Sequence, residues 1–340
     1  MVRGEMVMLK KNFLFIIALV LFSVQSHALE KKKICIFDLI GANGDFYGIM
    51  KDMKPAALDW GVELELVPYT DEKVATEDLK AKQCDGAFIT GIRARQFISY
   101  TGSTDSIRGI PNYDVLRSVI SILASGHEKL EDKMVSGPYQ YAGMVPMGSA
   151  YLFVKEQITD LDGMAGKSIA VLEYDEAEAY MARKVGMSPM MSDITNFSSR
   201  FNNGSVDVCF APIFGYSALE LYKGMAPDGG VMDYILGQLT SQLVIRKDAF
   251  PEGFALEARK FLLGQFDRAM RVVDNAANEV DDKWWISMDE ESNRNLDQMM
   301  RKARIELTEK NVYDKDMMSF LYKVRCRDNP SNPECSAQSE

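Results

Sequence analysis

Strand and helix signals alternate in a fixed order between Gln157 and Phe250, and that order leaves few folds open. Thr159-Asp160-Leu161-Asp162-Gly163-Met164-Ala165-Gly166 reads as a capped helical turn, followed by a short strand from Ser168 to Leu172. Asp175 to Val185 is expected to be a helix, with Ala179, Met181, Ala182 and Val185 on its apolar face. Thr195 is placed to cap a further helix ending at Asn203, with Gly204 as its closing residue. Val206 to Phe210 is the next strand, stopped by Pro212, and Ser241 to Phe250 returns as another.

The region before it has the same alternation. Ile34 to Ile40 is an apolar strand, Asp45 to Trp60 a helix, and Glu63 to Pro68 a strand with the alternation of a sheet edge. A helix from Glu72 to Lys82 leads to a third strand, Gly86 to Thr90. This β-α-β-α-β order implies a mostly parallel sheet with right-handed crossovers. Val115 to Leu123 reads as another strand, and Tyr139 to Glu156 as a long hinge-type strand. Pro251 opens a long helix whose apolar face carries Phe254, Ala258, Phe261, Leu262, Phe266, Ala269, Met270 and Val273. Ser287 and Glu290 suggest a capping box for a helix to Leu307, and a last helix covers Lys315 to Arg325.

In order of elements this chain resembles periplasmic solute-binding proteins, most closely the receptors of TRAP-type transporters. The resemblance covers nearly the whole chain after the N-terminal segment in element order, and Gln157 to Phe250 in motif. It implies an α/β fold of two lobes of the type II periplasmic-binding class. Each lobe would be a mostly parallel sheet flanked by helices, with hinge strands between them. The expected boundaries are 29–136 plus 243–340 for the first lobe and 137–242 for the second. The chain is long enough for two cores, since single cores stop growing near about 250–300 residues.

The resemblance also marks two departures. A segment like Leu161-Asp162-Gly163-Met164-Ala165-Gly166-Lys167-Ser168-Ile169 usually continues in that family with an arginine that pairs with a substrate carboxylate; here the residue is Ala170. The family often has asparagine before the proline after the Val-Asp strand; here it is Ala211. The fold and carrier role carry over, and the usual organic-acid specificity does not.

The N-terminus fits export. Lys10 and Lys11 precede an apolar stretch from Phe13 to Val24, and Ser26-His27-Ala28 offers a cleavage site after Ala28. The apolar core is shorter than the about 20 residues a comfortable span needs, so residues 1–28 read as a signal peptide and the mature chain as a periplasmic protein without stable membrane insertion. Removing that segment, with its net charge of +2, from a chain of net charge −10 leaves −12. Such an acidic chain has no electrostatic footprint for nucleic acid and is expected to be a monomer. Cys326 and Cys335, separated by a turn-rich stretch with Pro330 and Pro333, read as a disulfide. Cys35 and Cys84 are a candidate second pair, and Cys209 is left as a buried small hydrophobe.

Composition argues against several chemistries. With His27 in the signal peptide, His127 stands alone in a polar loop, and there is no Gly-x-Ser-x-Gly elbow and no Cys-x-x-Cys pair. No metal site and no cofactor are expected. The loop Gly41-Ala42-Asn43-Gly44-Asp45-Phe46-Tyr47-Gly48 fits neither a dinucleotide fingerprint nor a P-loop. It still turns a strand end into a helix N-terminus, a suitable place for a ligand's polar group.

Candidate ligand-binding residues therefore come from strand ends. Phe46 and Tyr47 follow the first strand; Thr90, Arg93 and Arg95 follow the third; Glu173 and Tyr174 follow Leu172. Asn196 begins a helix, and Phe214 and Tyr216 follow Pro212. Taken singly, each is more often packing or capping. The expected function is a receptor that captures a small molecule in an interlobe cleft and delivers it to a membrane transporter, with no catalytic residues. A sensor or accessory protein on the same fold, acting with a membrane kinase or efflux system, is the alternative. A carboxylate-dependent exported enzyme, using Glu173 with Asp38 or Asp45, ranks third.

Overall fold

The computed structural model describes residues Leu29 to Ala337. The expected signal peptide lies outside the described residues. Eleven strands are described: β1 (Glu30–Phe37), β2 (Val62–Tyr69), β3 (Gly86–Thr90), β4 (Val135–Ser136), β5 (Tyr139–Val154), β6 (Ser168–Leu172), β7 (Ser188–Ser192), β8 (Val208–Pro212), β9 (Gly230–Met232), β10 (Gly237–Arg246) and β11 (Trp285–Ile286). The longer helices are α1 (Asp45–Asp59), α2 (Glu72–Lys80), α3 (Tyr113–Leu123), α4 (Glu176–Lys184), α5 (Phe254–Gly264), α6 (Phe266–Asn278), α7 (Glu290–Glu309) and α8 (Lys315–Asp328).

The main sheet runs β2-β1-β3-β10-β5-β8-β6-β7. At one end β1 pairs parallel with β3, and at the other β6 pairs parallel with both β8 and β7. Between these blocks β10 and β5 run antiparallel to each other and to their neighbours. The long β5 changes partners: its first part pairs with β10, and Ala150 to Val154 pair with β8. Hydrogen bonding is thus unbroken from one block to the other.

Strand alternation distributes the side chains to two faces. Cys35, Phe37, Ala87 and Ile89 enter one apolar cluster with Leu116, Ile120 and Leu321, while Ile34, Ile36 and Phe88 enter another with Phe46, Met50 and Phe254. In the second block Ile169, Val171 and Val208 face Met181, Leu296 and Met300, while Ala170, Cys209 and Ala211 face Phe197 and Phe201.

Several local expectations are corrected. Val115 to Leu123 is helical, within α3, because Asn112 accepts the Val115 N–H and the buried residues Val115, Leu116, Val119, Ile120 and Leu123 follow helical spacing. The helix expected after Pro251 starts at Phe254 and is split into α5 and α6 at Gln265. The cap of α7 is Asp289, whose carboxylate accepts the Ser292 N–H at 2.7 Å, rather than a box starting at Ser287. Thr195 bonds Asp193 instead of capping, and Gly204, at φ +76°, closes the helical turn Phe197–Asn202. Cys326–Cys335 and Cys35–Cys84 both form disulfides, and Cys209 is free and buried.

Candidate ligand-binding cleft

The carboxyl ends of four strands converge on one cavity of about 50 Å³. Phe37 and Leu39 come from the end of β1, Thr90 and Ile92 from β3, Leu172 and Tyr174 from β6, and Pro212 and Phe214 from β8. Met147 of β5 and Leu239 of β10 form its floor across the central strands. This is the position where open α/β sheets bind ligands. The Phe214 ring meets Phe46 with centroids 5.7 Å apart.

Thr90 and Tyr174 supply the polar side chains of this lining, and both are already engaged. The Thr90 hydroxyl accepts the Arg93 N–H at 3.2 Å, capping the short turn Gly91–Ala94. The Tyr174 hydroxyl donates to Glu72 Oε2 at 3.0 Å. Glu72 is fully buried in the first turn of α2. Its other oxygen accepts the Thr90 N–H at 2.6 Å, and Arg93 Nε lies 3.5 Å from Oε2. Burial, with the Glu72 carboxylate beside it, pushes the Tyr174 phenol well above its ordinary range.

The two arginines expected near the cleft each form an ion pair, although Arg93 Nε and Arg95 Nη2 are buried without a hydrogen-bond partner. Arg93 serves Glu72. Arg95 Nη1 donates to Asp175 Oδ1 at 3.2 Å, and its guanidinium carbon sits 4.9 Å from the centre of the Tyr313 ring. Glu173 is exposed and pairs with Lys73 at 3.3 Å. Three side-chain hydrogen bonds therefore tie residues beside β3 to residues beside β6: Glu72 with Tyr174, Lys73 with Glu173, and Arg95 with Asp175.

The helix N-terminus at Gly44 is also filled from within the chain. Asp38 Oδ2 accepts the Tyr47 N–H at 3.0 Å, and Oδ1 accepts the Ile40 N–H at 2.9 Å. A Cβ on Gly44 would lie 1.8 Å from Asp38 Oδ1, so only glycine permits this approach. Burial raises the Asp38 carboxyl despite those hydrogen bonds. The Tyr47 hydroxyl turns away to the Leu66 carbonyl, 3.3 Å distant.

Of the expected residues, Thr90, Tyr174 and Phe214 line the cavity, while Phe46, Tyr47, Arg93, Arg95 and Glu173 lie outside the lining, and so do Asn196 and Tyr216. Asn196 closes a local turn, accepting the Asp193 N–H and donating to its carboxylate. Tyr216 is buried in the cluster with Phe197 and Phe201, against Tyr222. Ala170 and Ala211 lie in that same cluster, 3% and 1% exposed, so the positions that hold polar ligands in the resembling family are sealed and apolar here. Glu72, Asp175 and Asp38 were not picked out as partners by the sequence reading, because a first-turn or strand-end acid looks the same in sequence whether it is exposed or buried. Phe37 and Phe210 were missed because each reads as an ordinary strand residue.

A two-block sheet joined by antiparallel crossing strands, with a cavity at the converging strand ends, is the fold of the TRAP periplasmic solute-binding proteins. One from Desulfovibrio salexigens, with bound orotic acid, superposes with a TM-score of 0.73 at 11% identity, covering 87% of this chain and 99% of that one. Another, from Ochrobactrum anthropi, has a C-terminus bound in the ligand-binding pocket; its TM-score is 0.72 at 11% identity, with 91% and 98% covered. Residues 53–340 match the family model for solute-binding protein AdeT 1/2. The probable solute-binding protein AdeT1 of Acinetobacter baumannii is 40% identical over 306 residues, 90% of this chain and all of that one. AdeT2 of the same organism is 25% identical over 235 residues, covering 69% and 98%. The chain belongs to the AdeT1/AdeT2 family of solute-binding proteins.

Proposed function

We propose that this protein is an exported, monomeric receptor that captures a small uncharged, largely apolar solute in the cleft and hands it to a membrane transporter. The observation that carries the ligand class is the state of the lining. Its polar side chains, Thr90 and Tyr174, are already bonded, and the nearby cations Arg93 and Arg95 are each held by an internal carboxylate. Apolar and aromatic lining excludes water and favours a ligand of matching surface.

Residues 29–136 with 243–340 form one lobe in this reading, and 137–242 the other. Strands β5 and β10 act as the hinge. The contacts of Glu72, Lys73 and Arg95 with Tyr174, Glu173 and Asp175 then hold the cleft shut. Residues 1–28 direct export and are cleaved after Ala28. No chemical step is assigned to the cleft. Among the described residues no helix is long and apolar enough to cross a membrane.

The test is native mass spectrometry of the purified mature protein, followed by titration with small uncharged solutes and with succinate. Saturable binding of an uncharged solute, weakened at least tenfold by Phe214→Ala, is expected. Tight binding of succinate with none of an uncharged solute would overturn the ligand class. Consumption of the bound compound would overturn the receptor role.

A further inference from the structure

A second cavity, of about 80 Å³, lies between β6, α4 and α7. It shares Ile92, Phe210 and Leu239 with the cleft as a common wall. Four methionines line it: Met164, Met181, Met187 and Met300. Unbranched thioether side chains adapt to the shape of what they enclose.

The rest of the lining is mostly aliphatic, from residues such as Ile169, Val171, Leu236 and Leu296, but it also carries acidic groups. Asp105, Asp175 and Glu178 all border the cavity. Arg95 pairs with Asp175 and acts electrostatically on Asp105 and Glu178. The group thus holds three carboxyls against one guanidinium. Tyr313 borders it from the turn before α8, its hydroxyl accepting the Ile107 N–H at 3.2 Å; Arg304 acts on Tyr313 and is itself paired with Glu334. Asp105 is well supplied with donors, from the Thr240 N–H and hydroxyl and the Thr104 hydroxyl. Glu178 is not: Oε2 accepts the Leu172 N–H at 2.7 Å, and buried Oε1 has no partner. Ser106, 1% exposed and also on the lining, has an unpartnered hydroxyl.

Asp105 and Asp175 are buried and Glu178 is half-buried, and carboxyls shielded from water in excess of cations hold protons or gain a cation. Burial, with Asp175 beside it, raises the Glu178 carboxyl well above the usual range. Among the described residues, no group of three or more His, Cys, Asp or Glu side chains is arranged to hold a metal ion. An organic cation with a short hydrocarbon part matches both the carboxyls and the methionines. An apolar cavity of about 150 Å³ holds benzene, so one of about 80 Å³ suits a chain of a few carbons.

We propose that this cavity is a second ligand site, separate from the cleft, that takes a small primary alkylammonium ion, with Glu178 as its counter-ion and its hydrocarbon among the methionines. As the ammonium enters, Glu178 releases its proton to solvent and remains as a carboxylate. Ionisation of Glu178, and of Asp105 on the same lining, strengthens binding as pH rises, while an alkylamine stays protonated below about 10.

The test is a titration of the mature protein, labelled with ¹³C-methyl methionine, with n-butylammonium chloride, n-butanol and sodium butyrate. The methyls of Met164, Met181, Met187 and Met300 should shift saturably with n-butylammonium, while Met147 in the cleft stays still. Affinity should rise at least fivefold between pH 6 and 8.5. Glu178→Gln should weaken it at least tenfold. Should that variant fail to fold, Ala182→Leu, which narrows the cavity and leaves all three carboxyl groups in the chain, must abolish the shifts. Static lining methyls, equal binding of n-butanol, or affinity independent of pH would each overturn the proposal. Such a failure leaves the cleft reading intact, because solutes in the cleft are read at Met147.

Discussion

The guanidinium carbon of Arg93 lies 3.2 Å from the centre of the Tyr174 ring. The two residues leave the ends of different strand blocks, and both converge on Glu72. Such stacking is strengthened when the pair is shielded from water. Glu72 is thus the hub of the contact across the cleft, with Thr90, Arg93 and Tyr174 all directed at one carboxylate.

Glu72→Ala should be among the most damaging substitutions near the cleft. It strands the buried guanidinium of Arg93 without its partner, a loss of about 3–5 kcal/mol for a broken buried pair. Tyr174→Phe keeps the ring over Arg93 and removes one hydrogen bond, at about 1 kcal/mol. Urea unfolding of the two variants checks the order. Equal, small effects would mean that Glu72 does not organise the contact.

Restoring the polar residues of the resembling family should not restore organic-acid binding. Ala170 is packed among Phe197, Phe201 and Cys209. Ala170→Arg places an unpaired charge in that cluster, which destabilises by several kcal/mol. Calorimetry with succinate should show no binding by Ala170→Arg with Ala211→Asn. A gain of succinate affinity would mean that these positions open onto the cleft.

Much of this architecture was legible in the sequence because short buried strands and their crossover helices have strong periodic signals. Ser168 to Leu172 and Gly86 to Thr90 are strands with the bounds expected. Val115 to Leu123 misled because a run of Val, Ile and Leu in a buried helix resembles a buried strand. Strand β7 carries a weaker signal, since Ser188-Pro189-Met190-Met191-Ser192 is a weakly apolar edge with a proline. The positions of Arg93 and Arg95 near the cleft followed from strand polarity. Their neutralisation by Glu72 and Asp175 did not, because those partners are distant in sequence and only folding brings them together.

The two disulfides should contribute unequally. The loop between Cys35 and Cys84 spans 49 positions and that between Cys326 and Cys335 spans 9. Loop closure in the unfolded chain then gives about 4 and about 2.5 kcal/mol respectively. Paired Cys→Ala variants, compared by thermal unfolding, should show the larger loss for Cys35 and Cys84. The reverse order would place the larger constraint at the C-terminus.

Asp105 should make the protein less stable as pH rises from about 4 to about 7. Burial is the main cause that pushes its carboxyl up to about 7, against the hydrogen bonds from Thr240 and Thr104 and the charge of Arg95. In the unfolded chain the group loses its proton near its ordinary value of 3.8. Between those two values the folded protein holds a proton that the unfolded chain has released. Raising the pH across that window therefore favours unfolding; below it both states are protonated and above it both are ionised, so the dependence flattens. At about 1.4 kcal/mol per pKa unit, the full effect is up to about 4 kcal/mol. Glu178 works in the same direction, while Glu334 and Asp207, both lowered, oppose it. The contribution of Asp105 is isolated by comparing unfolding free energies of the wild type and Asp105→Asn at steps from pH 4 to 8. The asparagine does not titrate, so any hydrogen-bond penalty it brings is constant across the series. The wild type should lose stability relative to the variant up to about pH 7 and then run parallel to it. Parallel profiles throughout would mean that Asp105 ionises at its ordinary pKa despite its burial.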